Sequence, residues 1–159
     1  MRRVARLLLL TLLLALPWPT GAQDRRPARD PDLARFVAAW SGEGQVEGHD
    51  ALVFAGFSWA LADRFLALSF SRGSYEAQAY LRPAGGGRLE GTWLDSEGQV
   101  TAPEGRVDGS TLTLEWAHQV VGPERITWTL LDADRLELTT FERDGAAWRP
   151  TGRVVLTRP

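Results

Sequence analysis

From Gly73 to the C-terminus, turn-forming residues recur at an almost constant interval, and this interval constrains the fold more than any other feature. Arg72-Gly73, Gly85-Gly86-Gly87, Glu97-Gly98, Asp108-Gly109, Gly122-Pro123, Asp132-Ala133-Asp134 and Asp144-Gly145 have centres 11 to 13 residues apart. A strand of roughly eight residues plus a tight turn fills that interval, which is the spacing of antiparallel strands in a sandwich or barrel. The three consecutive glycines therefore read as a hairpin tip that needs positive φ. They do not follow the strand-to-helix grammar of a nucleotide-binding loop.

Between the turns the side chains alternate. Leu112, Leu114, Trp116 and His118 share one face against Thr111, Thr113, Glu115 and Ala117. Ile126, Trp128 and Leu130 oppose Arg125, Thr127 and Thr129, and Leu136, Leu138 and Thr140 oppose Glu137 and Thr139. Tyr75, Ala77, Ala79 and Leu81 oppose Glu76, Gln78 and Tyr80. A period of two puts one face against a core and the other in water. Upstream, ALVFAGFSWAL and RFLALSFS are richer in apolar residues and are parted by a turn at Ala62-Asp63-Arg64.

Ten strands result: 40–48, 51–60, 65–71, 74–82, 88–95, 98–107, 110–118, 123–131, 134–143 and 147–157. Their short connections leave no room for the long crossovers of an immunoglobulin-type sandwich. An all-β, antiparallel up-and-down barrel is expected. One short N-terminal helix precedes it: in PDLARFVAAW, Leu33, Phe36, Val37 and Trp40 follow helical spacing and Pro31 suits its first turn.

Met1 to Ala22 has a different grammar. Arg2, Arg3 and Arg6 precede an apolar run from Leu7 to Leu16, then Pro17, Pro19 and the small residues Thr20-Gly21-Ala22. This is the anatomy of a secretory signal peptide cleaved near Ala22. The run is too short for a lasting membrane span, so no transmembrane helix is expected after its removal. Residues 23–31, QDRRPARDP, form a flexible tether, and 32–159 form one domain. A secreted or periplasmic location follows. The chain has no cysteine, so disulfides, thiolate metal sites and a lipidated cysteine are excluded. It also has no lysine and no asparagine.

Without the leader, 15 arginines stand against 20 acids, and the charges are interspersed. That pattern argues against nucleic acid as a partner. GxSxG, HExxH, Walker and GxGxxG elements are missing. His49 falls in a turn, and the two histidines have no metal-ligand spacing, so no metal or cofactor is expected. Glu90 and Glu115 lie on polar strand faces, and Asp95 and Glu97 complete the carboxylates considered for acid–base chemistry.

A turn ending in Trp40, the run SGEG and the meander of hairpins resemble the lipocalin-like (calycin) barrels. Tyr80, Trp93, Asp95-Ser96 and Gly98, with GRVDGSTLTLEW at 105–116, are similar to a branch of uncharacterised bacterial secreted domains in that superfamily. Lipocalins proper carry Gly-x-Trp where this chain has Ala38-Ala39-Trp40. Nitrobindin-like relatives bind haem through a histidine near the C-terminus, and this chain has none after His118. The resemblance implies that Trp40 closes one end of the barrel under an arginine, Arg153 or Arg158.

The expected function is non-enzymatic binding of a small apolar or amphipathic molecule inside the barrel. Tyr80, Trp93, Trp116, His118 and Trp128 are the candidate lining, with Tyr80 and His118 orienting the ligand. The alternatives are an isomerase or hydrolase using His118 with a carboxylate, and a structural or interaction module of the cell envelope with a solid core.

Overall fold

The computed structural model describes residues 29–116 and 124–159. The expected signal peptide, most of the tether and His118 lie outside them. After a short helix α1 (Pro31–Ala34), the chain runs through β1 (Ala39–Val46), β2 (His49–Ala60), β3 (Phe65–Arg72), β4 (Tyr75–Gly85) and β5 (Arg88–Asp95). It continues through β6 (Val100–Thr101), β7 (Glu104–Asp108), β8 (Thr111–Glu115), β9 (Arg125–Leu130), β10 (Arg135–Asp144) and β11 (Ala147–Thr157).

Apart from β6 and β7, which both pair with β5, each strand pairs antiparallel with the next, and β11 returns to pair with β1. The result is the expected closed antiparallel barrel of ten strands, because β6 and β7 are two halves of one strand. Both halves keep one register on β5: Leu94 faces Val100, Trp93 faces Thr101, Glu90 faces Glu104 and Arg88 faces Arg106. The ladder is interrupted at Ala102-Pro103. Val107 N–H donates to Gly87 O at 2.7 Å and Asp95 N–H to Gln99 O at 3.2 Å, so odd-numbered residues of β5 direct their backbone polar groups at this strand. Gly91 thus faces Pro103, which has no N–H to offer its carbonyl.

The turns follow from backbone chemistry. Glu47 and Gly48 have φ of 54° and 78°, the pair of positive values that suits a two-residue hairpin. Gly85, Gly86 and Gly87 all have positive φ, with a bulge between Pro83 and Gly85. A Cβ on Gly87 would sit 2.4 Å from the Val107 carbonyl oxygen, so this tip needs glycine for contact as well as conformation. The expected turn at 62–64 forms without glycine: Leu61, Ala62 and Asp63 have φ of 51°, 59° and 65°.

The expected helix is shorter than its apolar spacing suggested. Asp30 caps it by accepting from the N–H groups of Asp32 and Leu33, with proline in the first turn, and the helix ends at Ala34. Trp40 already belongs to β1. Leu33, Phe36 and Trp40 are still buried together, and the Trp40 indole donates to Phe36 O at 2.9 Å. Arg158 lies over the Trp40 ring at 4.6 Å and donates to Arg35 O, closing this end as the resemblance implied. Arg153 instead faces outward onto Glu137. The end of the expected tether is tied down too: Arg29 bridges to Asp63 at 3.1 Å.

Candidate functional site

The inward faces predicted by alternation are buried: Ala77, Ala79 and Leu81 on β4, Leu112 and Leu114 on β8, Ile126 and Trp128 on β9, Leu136, Leu138 and Thr140 on β10. Among the described residues Thr140 is the one buried side chain of polar type, and its hydroxyl meets that of Thr151 at 3.1 Å.

Three of the expected lining residues fill the barrel. Trp93 and Trp116 meet edge to face, with ring centroids 5.1 Å apart, at the end away from α1. Trp128 packs edge-on against Phe57 at 5.8 Å. A side chain bordering a cavity large enough for water retains accessible surface. Trp93, Trp116 and Trp128 retain 1%, 2% and 0% of theirs. The space that Trp93 and Trp116 leave beside Phe70, Tyr75 and Thr140 is about 10 Å³, close to the minimum for a single water. Inward indoles this large occupy the lumen they were expected to wall.

Tyr80 is on the other side of the wall. It alternates with the buried Ala79 and Leu81, retains 38% of its accessible surface, and stands across from Ala67 and Thr92. His118 lies outside the described residues. His49 is exposed at the start of β2. Glu90 and Glu115 lie on the outer face, while Asp95 shares the inward face of β5 with Trp93 at the barrel end. Glu90 pairs with Arg82 at 2.7 Å, Glu115 with Arg125 at 2.6 Å, and Asp95 holds a turn.

That turn accounts for the tryptophan-centred signature. Asp95 Oδ1 accepts from the N–H groups of Glu97 and Gln99, Gly98 has φ of 82°, and Ser96 Oγ accepts from Glu76 N–H on β4. The other Asp95 oxygen accepts from the Tyr75 hydroxyl at 3.2 Å, which in turn accepts from the Trp93 indole N–H at 3.2 Å. Burial pushes the Tyr75 phenol up to about 12, opposed by the Trp93 N–H and reinforced by the Asp95 charge. The phenol stays neutral and ties a buried indole to a half-buried carboxylate. Tyr75, rather than Tyr80, is the tyrosine that hydrogen-bonds Trp93 and Asp95 in the fold. Its alternation with Ala77 and Ala79 was the available signal.

A hollow with apolar walls lies on the outside of the barrel. Strands β2 to β5 form a trough of about 490 Å³, with Phe54 on one side and Tyr80 and Leu94 on the other. Its floor carries Ser69, Ser71 and Gln78. Phe54, Tyr80 and Leu94 retain 49%, 38% and 39% of their accessible surface, an unusual exposure for three large apolar groups around one hollow. Small floor residues create the depression: Ser69 lies opposite Gly56 on β2 and Gln78 on β4.

Fold and site together define a closed up-and-down barrel, consistent with the calycin-like architecture, with a packed interior and a decorated outer wall. Compared with known proteins, the chain matches no protein-family model and no curated sequence.

Proposed function

We propose that this chain is a non-enzymatic, lipocalin-like barrel, secreted or periplasmic, that binds a small amphipathic molecule on its outer wall. The Met1–Ala22 leader supports the compartment. The observation that carries the binding reading is the contrast between the two surfaces: inward indoles keep almost no accessible area, while Phe54, Tyr80 and Leu94 expose theirs around one trough. Apolar walls would drive binding by burial, and the hydroxyl and amide floor would orient a ligand with a polar edge.

Nile red, a neutral apolar dye, tests the location. Saturable fluorescence enhancement is expected with the native chain, lost in the Phe54→Ser/Tyr80→Ser double variant, and retained in Trp116→Phe. Enhancement that survives the double variant and disappears with Trp116→Phe would return the ligand to the barrel interior and refute the outer-wall reading. A chain that never enhances the dye refutes both.

A further inference from the structure

Three charge pairs stand directly opposite each other on the outer wall with opposite sign: Arg82 with Glu90, Glu115 with Arg125, and Glu142 with Arg149. All three close as ion pairs, at 2.7, 2.6 and 3.1 Å. On β5, β7 and β8 the rule is reversed. Arg88 faces Arg106, Glu90 faces Glu104, and Glu104 faces Glu115. Like charges directly opposite on a sheet are destabilising, and exchanging Arg106 with Glu104 would convert all three of these contacts into favourable ones. Folding therefore gains nothing from this arrangement.

The sorted rows line one shallow saddle of about 790 Å³ on the outer wall, over the interrupted ladder at Pro103. Glu90 and Glu115 are engaged by their arginines. Among the described residues neither Arg88 nor Glu104 has an ion-pair partner, and Arg106 reaches only Asp108, at 3.9 Å. The saddle therefore offers two guanidiniums in one row and a carboxylate in the next, two residues along the strand, or about 7 Å. The glutamates are not arranged to hold a metal ion.

We propose that this saddle binds a small zwitterion. A phosphoryl anion sits between Arg88 and Arg106, where guanidiniums can each donate paired hydrogen bonds, and a primary ammonium sits at Glu104. Neutralising both rows at once relieves the three like-charge contacts, so ligand binding and relief of the repulsion act together. A free phosphoethanolamine-type metabolite and a lipid head group share this chemistry. The site is separate from the trough and does not depend on it.

The test uses the full chain at low salt, titrated with O-phosphoethanolamine, inorganic phosphate and ethanolamine, and followed by NMR shifts of the arginine side chains. O-phosphoethanolamine should bind saturably and about fivefold more tightly than phosphate, with ethanolamine weaker still. Arg88→Gln/Arg106→Gln should weaken it about tenfold, and Glu104→Gln should bring it to the level of phosphate. Arg106→Glu should abolish binding and raise the melting temperature of the unliganded protein, a readout that excludes misfolding as the cause. Co-sedimentation with phosphatidylcholine vesicles only when they contain phosphatidylethanolamine identifies a lipid head group as the source; its absence alongside soluble binding identifies a free zwitterion. No saturable binding, or binding indifferent to the arginine pair, overturns the proposal.

Discussion

Raising the pH isolates one hydroxyl in this protein. The chain has no lysine and no cysteine and only two tyrosines, so few side chains change charge between pH 9 and 12. Tyr75 is one, and its folded-state value lies near 12 against an ordinary 10.0. In that window an unfolded chain releases the Tyr75 proton and the folded chain retains it. Stability must therefore be complete below pH 10 and fall as the pH rises toward 12. Two units correspond to about 2.7 kcal/mol as an upper limit, and partial exposure of the phenol reduces this to about 1–2 kcal/mol. Tyr75→Phe removes the titration and leaves the Trp93 indole N–H buried without its acceptor, at a cost of about 1–3 kcal/mol at neutral pH. Urea denaturation at neutral pH, 10 and 11.5 separates the effects: the native chain should lose stability with pH, while the variant starts lower and declines less. Parallel declines of the two proteins would refute the assignment of the alkaline limb to Tyr75.

Two further outcomes follow from backbone contacts. Gly91→Ala places a Cβ 2.1 Å from the Tyr80 carbonyl oxygen and 3.0 Å from Leu81 Cα, so β4 and β5 must part; a loss of about 2–3 kcal/mol is expected by chemical denaturation. Ala62→Gly relieves the middle of three consecutive non-glycine residues at positive φ. It should stabilise the protein by about 0.5–1 kcal/mol, read as a higher melting temperature.

Much of the barrel is legible in the chain because strand chemistry is local. Whether Leu112, Ile126 or Leu136 faces in or out depends on its position relative to its neighbours, and a twelve-residue rhythm leaves space only for hairpins. The same alternation puts Tyr80 outside, in agreement with the structure, so it borders the outer trough and not the lumen. The length of α1 was not legible. Leu33, Phe36 and Trp40 have helical spacing, yet Trp40 gains more by pairing in β1 while its indole still reaches back to Phe36 O.

The sequence by itself determined the strand order, the inward and outward residues and the turn positions, since each depends on φ preferences and side-chain alternation within a dozen residues. Only the tertiary structure decided whether the lumen is a container or a core. Trp93 and Trp116 come from different hairpins, and the space between them depends on barrel closure and strand tilt, which no local pattern encodes. Cross-strand register likewise decided that Tyr75, Trp93 and Asp95 form one chain of hydrogen bonds. It also set Arg88 against Arg106, and Glu104 against Glu90 and Glu115. In the sequence these charges are merely interspersed; pairing of the strands sorts them by sign.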